Sequence, residues 1–379
     1  MANDWEFVLA LPNLRLPPTR DLGDNNRSPN TIDLGSDVVC LMGGEDHAVL
    51  EARRATPQLE QILGSFRDEL GTAYVPAALF VRKSAPRRLR TSAPAFNDFR
   101  NAVAISMILP ARCAAVRGSG SLSPIWSDTF DFHPAQINPN GRVILQSPAL
   151  LNVVDDDPLH LTASPAIPVF SYALYADSYL YRCFGREWRR RYATPARDDR
   201  FSRSLFRSLE VAYHAASVGV KTFGSTTEFG THIALWVSAI EILAWPARRH
   251  ADLPSILDFL ERAPSDRILK RRRFRLNVNK KRRSMNAIQR CYYLLYKARN
   301  QFLHGNPVSN RTLVGRTRGK RVGLLRLAAL VYRYALISYL GGRYARAGMG
   351  TRGIGRWVLE EVDSNQCDEG LRTQLGLTL

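Results

Sequence analysis

Arg299, Asn300 and His304 fall within one short run, Tyr296-Lys-Ala-Arg-Asn-Gln-Phe-Leu-His-Gly305, with Pro307 just beyond. Arginine is a permanent planar cation that grips phosphate oxygens in pairs, and histidine titrates near neutrality. Breaking an RNA phosphodiester without a metal needs both. The 2′-hydroxyl must be activated, the phosphate charge neutralised and the leaving oxygen protonated. Asn300, one turn before His304, can hydrogen-bond either the imidazole or a substrate. Gly305 and Pro307 should stop the helix, placing His304 at its C-terminus, where the backbone dipole favours a cationic ring. Five residues rotate a regular helix by about 140°, so the arginine and histidine of one chain diverge. A two-fold dimer would bring both copies of each to one cleft.

The elements that must position these residues are helical. The run closes a helix expected over 284–303, with Ile288, Tyr292, Leu295, Ala298 and Phe302 on its core face. Others are expected at 180–192, 199–218, 253–262 and 323–340. Ser225-Thr-Thr-Glu228 has capping-box spacing and opens a helix over 226–245, closed by Pro246. That helix is apolar almost all round, so it should lie at the centre of a bundle, with His232 as a hydrogen-bonded core residue and Trp236 and Trp245 as packing.

The first half reads as mixed α and β. Strands are expected at 5–11, 37–42, 74–81 and 142–146, and helices at 56–70 and 96–109, the latter stopped by Pro110. Residues 82–94 read as a loop. The fold class is therefore α+β: a mixed α/β domain over 1–175, an all-α bundle over 176–345, and a tail over 346–379 packed on the bundle, either strand or helix.

The Arg-Asn-x-x-x-His pattern resembles the signature of the HEPN superfamily (higher eukaryotes and prokaryotes nucleotide-binding). "LYKARNQFLHGN" is similar to the motif helix of its Apea-like branch, and "ALWVSAIEILAW" to that branch's earlier helix, with Glu241 as the acidic residue. The likeness spans about residues 200–340. It implies a HEPN-like bundle and metal-independent RNA cleavage by a homodimer or higher even-numbered oligomer. Arg299, Asn300 and His304 would be catalytic, and Glu241 would support Arg299. It further implies a role in antiphage defence through growth arrest, with the N-terminal domain as a sensor. The alternative it leaves is a non-catalytic module that dimerises and binds nucleic acid.

Charge agrees with a polyanionic partner. The chain has 53 Lys+Arg against 34 Asp+Glu, a formal +19, which attracts nucleic acid at long range. Basic runs flank the motif helix. Lys270, Arg271, Arg272, Arg273, Arg275, Lys280, Lys281, Arg282 and Arg283 precede it and are candidate RNA contacts, with Phe274 able to stack on a base. Arg311, Arg316, Arg318, Lys320 and Arg321 follow it. The five cysteines lie far apart without zinc-site spacing and suit reduced thiols in a cytoplasm. Asp155-Asp156-Asp157 with His160 reads as an exposed turn rather than a metal site, Gly43-Gly44 and Gly341-Gly342 as turns, and no P-loop occurs, so no cofactor is expected. No N-terminal leader is apparent. The apolar stretch 324–340 carries Arg326 and Arg333 on one helical face and falls short of a bilayer span, so no membrane partner is expected.

Overall fold

The computed structural model describes residues 4–16, 31–68, 70–117, 125–138, 140–147, 150–153, 167–168, 176–193, 199–217, 225–244, 252–271, 274–278, 281–317, 320–344 and 362–377. The chain is mixed α+β, with a sheet near its N-terminus and mostly helix afterwards. It forms two compact units that interleave in sequence: 1–103 with 126–174 and 184–197, and 104–125 with 175–183 and 198–379. The chain thus crosses between units near 103 and 125 as well as around 175–197, which no linker-like composition announces.

In the first unit, β1 (Trp5–Leu11), β2 (Leu14–Arg15), β3 (Thr31–Ile32) and β4 (Val39–Met42) precede α1 (His47–Ala55), α2 (Pro57–Gly64) and β5 (Ala77–Arg82). Four of these strands make an antiparallel sheet in the order β1-β5-β4-β3. The central strands β4 and β5 are almost wholly buried, as a continuous apolar run demands. Leu59, Ile62, Leu63 and Phe66 cover the sheet. The helix expected to reach residue 70 stops at Gly64, because Asp68 turns the chain: its Oδ1 accepts from the backbone N–H of Leu70 and Thr72. Residues 82–94, expected as loop, contain a short helical turn, α3 (Arg87–Arg90), and the start of the next helix at Ala93.

The next helix, α4 (Ala93–Arg117), runs through Pro110 rather than ending before it. Proline has no N–H, so the Ser106 carbonyl one turn earlier lacks its helical donor. The backbone N–H of Asp177 supplies one at 2.8 Å. A meander of β6 (Ala135–Ile137), β7 (Val143–Ser147) and β8 (Leu150–Val153) follows, and β9 (Ile167–Pro168) pairs in parallel with β2. Then α5 (Ser178–Trp188) widens into a π-type turn over Arg189–Ala193.

The second unit is built on α6 (Arg200–Ala215), α7 (Thr226–Ala244), α8 (Leu253–Glu261), α9 (Arg267–Arg271), a hairpin of β10 (Phe274–Val278) and β11 (Lys281–Met285), and α10 (Ala287–Leu303). A second hairpin of β12 (Val314–Thr317) and β13 (Lys320–Gly323), α11 (Leu324–Tyr344) and α12 (Val362–Leu375) complete it. The expected central helix is central: α7 packs against α6, α8, α10 and α11. Its capping box is reciprocal, with Ser225 N–H donating to Glu228 and Glu228 N–H to Ser225 Oγ. His232 lies buried with a ring nitrogen 3.0 Å from the Ala215 carbonyl, and Trp236 packs on Tyr332. Trp245 lies outside the described residues.

Several expectations need correction. The C-terminal region is not all-α, because both basic runs flanking α10 contain hairpins. In the first, alternation puts Phe274, Leu276 and Met285 inward and Arg275, Asn277, Arg282 and Ser284 outward. Gly341 and Gly342 lie inside α11, not in a turn. The tail supplies a helix. Cys113 and Cys367, 254 residues apart, are joined in a disulfide, while Cys40, Cys183 and Cys291 are buried thiols. By length and composition α4 and α11 could each cross a bilayer, although most of each is buried in the fold. Arg326 is exposed on α11, but Arg333 on the same face is fully buried and paired with Asp177.

Candidate active site

Both ends of α10 are fixed by local chemistry. Asn286 caps its start, accepting from the Gln289 N–H while the Gln289 side chain accepts from the Asn286 N–H. Gln289 also donates to the Leu257 carbonyl at 2.8 Å, tying α10 to α8. At the other end, the His304 N–H donates to the Asn300 carbonyl at 3.1 Å and the Asn306 N–H to the Gln301 carbonyl at 3.3 Å. Gly305 turns back with φ +66°. This six-to-one bond around a left-handed glycine is a Schellman stop, and it holds His304 at the helix end. The imidazole is exposed.

Arg299 leaves the opposite side of the helix, as the 140° rotation requires. Its Nη2 lies 3.6 Å from Glu241 Oε2 on α7, and its Nη1 donates to Asn300 Oδ1 at 3.3 Å. The arginine Nε is buried and finds no hydrogen-bond partner among the described residues. At 3.6 Å the carboxylate is an ion-pair neighbour rather than a hydrogen-bonded one. The Tyr292 hydroxyl donates to the other oxygen, Glu241 Oε1, at 3.4 Å. Burial raises the pKa of Glu241, opposed by the Arg299 charge and the Tyr292 hydrogen bond. Burial also lifts the Tyr292 hydroxyl well above its ordinary range, so it stays a donor.

Gly230 sets how closely α7 and α10 approach. A Cβ there would lie 2.1 Å from the Phe302 ring, so only glycine admits Phe302, one turn before Gly305.

One chain therefore brings Arg299, Asn300, Glu241 and Tyr292 together and leaves His304 pointing elsewhere. Of the expected RNA contacts, Lys270 and Arg271 are exposed on α9, and Arg275 and Arg282 are exposed on the outer face of the first hairpin. Arg283 instead turns inward and pairs with Asp258. Phe274 sits half-buried on the inward face opposite Met285, not displayed for stacking. For Lys281 only its strand position, opposite Val278, is described. Arg272, Arg273 and Lys280 lie outside the described residues, as do Asp155–Asp157 and His160. Among the described residues no three of His, Cys, Asp and Glu gather where they could hold a metal ion.

The apolar spacing of α10 marks Tyr292 only as a core residue. Its place seven residues before Arg299 put both on one face of α10, a usable signal.

Comparison with family models, with curated proteins and with solved structures finds no match to this chain.

Proposed function

We propose that this protein is a metal-independent endoribonuclease of HEPN type, acting as a homodimer in cytoplasmic antiphage defence or growth arrest. The four long helices α6, α7, α10 and α11 would form the HEPN-like bundle. Two-fold pairing about the ends of α10 would bring Arg299 and His304 of each copy to one groove. In this reading His304 moves the proton, Arg299 neutralises the phosphate and Asn300 positions one or the other. Glu241 orients Arg299 and does not take part in chemistry.

The observation that carries this reading is the end of α10. An exposed histidine stands on a capped helix terminus, while a guanidinium five residues earlier is loosely engaged by its carboxylate at 3.6 Å. The test is incubation with tRNA or bulk RNA in EDTA, comparing wild type with His304→Ala and Arg299→Ala. Wild-type cleavage leaving 2′,3′-cyclic phosphate ends, lost in both variants, is the expected result. Equal cleavage by wild type and His304→Ala would refute it. The same Arg299–Glu241 pair favours a second reading, a bundle that binds nucleic acid without cutting it. No cleavage by wild type alongside retained RNA binding would establish that reading instead.

A further inference from the structure

Between Asp266 and Glu360 the sequence has no Asp or Glu, and the Lys and Arg of that stretch outnumber the formal excess of 19 for the whole chain. The remainder of the molecule is therefore net acidic. The formal basic excess resides in this one segment, which folds as α9, the first hairpin, α10, the second hairpin and α11. Four of its arginines draw on carboxylates from outside it: Arg283 on Asp258, Arg299 on Glu241, Arg333 on Asp177 and Arg343 on Asp199. Arg290, Lys297, Arg316 and Arg321 have no acidic partner among the described residues.

Two of these lie on the second hairpin, and Arg290 reaches its backbone from α10. The β12–β13 register sets Arg316 directly opposite Arg321, so both side chains leave the same face, and both are exposed. Arg290 of α10 donates Nη2 to the Arg316 carbonyl at 3.3 Å. The hairpin sits tightly on its helices: a Cβ on Gly315 would lie 2.9 Å from Leu294 Cδ1 and 3.0 Å from Leu324 Cδ2, and Val322 is buried. Like charges at facing positions destabilise a hairpin, and partial burial strips water from Arg290 and lowers its pKa. An anion held between the facing arginines would relieve their repulsion. Guanidinium groups, each offering parallel N–H donors, suit phosphate oxygens.

The same helix leads from this cluster to the histidine. Positions 290, 297 and 304 are seven apart, which keeps them within about 40° around α10, and about 21 Å separates the ends along the axis. Lys297 is exposed on that line, and the half-buried Tyr293 ring lies beside it with Lys297 Nζ 6.0 Å from its centroid. A single row of cations beside an aromatic ring fits one nucleic-acid strand.

We infer that Arg290, Arg316 and Arg321 form a phosphate seat for single-stranded RNA, from which the strand runs past Lys297 along α10 to His304. What happens at His304 rests on the nuclease reading; binding at the seat does not. Both RNA and small phosphates share the chemistry the seat recognises, and the experiment separates them.

Binding of a labelled oligouridylate is measured on full-length His304→Ala protein, so that the strand stays intact. Adding Arg316→Gln with Arg321→Gln should weaken binding about fivefold and reduce the slope of log K against log salt by about 1.4, near 0.7 per lost phosphate contact. The charge-keeping pair Arg316→Lys with Arg321→Lys should restore most of both. A control pair with the same charge change, Arg54→Gln with Arg87→Gln on exposed positions of α1 and α3, should alter neither. Equal loss in the control, or unchanged binding in the seat variant, overturns the inference. So does tight binding of inorganic phosphate that a strand does not improve, or seat-dependent binding of phosphatidylserine vesicles with oligouridylate binding unaffected. If wild type fails to cut RNA while the seat variant loses binding, the seat stands and the nuclease reading falls. If cutting requires His304 while the seat variant binds normally, the reverse holds.

Discussion

Arg333 and Asp177 meet out of solvent: Nε donates to Oδ2 at 2.7 Å and Nη2 lies 2.7 Å from the same oxygen, with side chains 1% and 0% exposed. Asp177 has two further tasks. Its Oδ1 accepts from the Leu180 N–H at the start of α5, and its own N–H reaches the Ser106 carbonyl left without a donor by Pro110. Removing one partner strands a buried charge, so Asp177→Ala should cost about 3–5 kcal/mol in urea unfolding. Asp177→Leu combined with Arg333→Met should recover most of that, short of about 1 kcal/mol for the lost cap. If the double variant is no better than the single one, the pair does not act as a unit.

Gly230→Ala tests how the site is held. Its new Cβ would meet the Phe302 ring, and overpacking of this kind costs about 1–3 kcal/mol. The end of α10 would move with it, so on the proposed nuclease reading RNA cleavage should fall further than stability explains. Phe302→Leu in the same protein should restore part of both. Unchanged melting in Gly230→Ala would show that the α7–α10 contact yields without strain.

Stability should fall as pH rises from 4 towards 7 on account of Asp368. Burial, reinforced by the nearby Asp266 charge, raises its pKa to about 6, against the Tyr334 hydrogen bond, the Asp266 N–H and the Arg333 charge. The folded protein then holds a proton that the unfolded chain has already released. The contribution is complete below the unfolded value near 4 and is lost as pH passes 6, a change of about 3 kcal/mol. Melting followed across this range, with Asp368→Asn as comparison, measures it. A wild-type profile no steeper than that of the variant would rule out Asp368 as the cause.

The Cys113–Cys367 bond closes a loop of 254 residues and ties α12 to α4. Titration of denatured, unreduced protein should therefore find three reactive thiols, those of Cys40, Cys183 and Cys291. Cys367→Ala should lower stability by about 3–5 kcal/mol relative to the oxidised protein, and not relative to the reduced one. Five reactive thiols would mean that the pair is not oxidised in that preparation.

What the sequence disclosed was whatever is decided within a few residues. Ser225 and Glu228 announce the start of α7 because both partners of the capping box are local, and Gly305 announces the end of α10 for the same reason. Decisions made at a distance were hidden. Pro110 looks like a stop until the Asp177 N–H takes over the orphaned carbonyl. Cys113 and Cys367 look unrelated because spacing reveals only neighbouring pairs. The first hairpin was obscured because Arg and Lys fill the outward positions of β10 and β11, so the alternation that marks a strand is between basic and weakly apolar residues. That hairpin also explains why α10 begins at Ala287 rather than 284. At the site, the divergence of Arg299 and His304 followed from helix geometry alone, whereas the Tyr292–Glu241 contact depended on how α7 and α10 cross.

The stretch from Arg267 to Leu359 cannot neutralise itself, and Asp177, Asp199, Glu241 and Asp258 lend it their charges from earlier in the chain. A fragment cut to begin at Arg267 would leave all four creditors behind and become a polycation whose helices repel one another. The smallest piece able to fold around the motif helix must therefore reach back at least to Asp177.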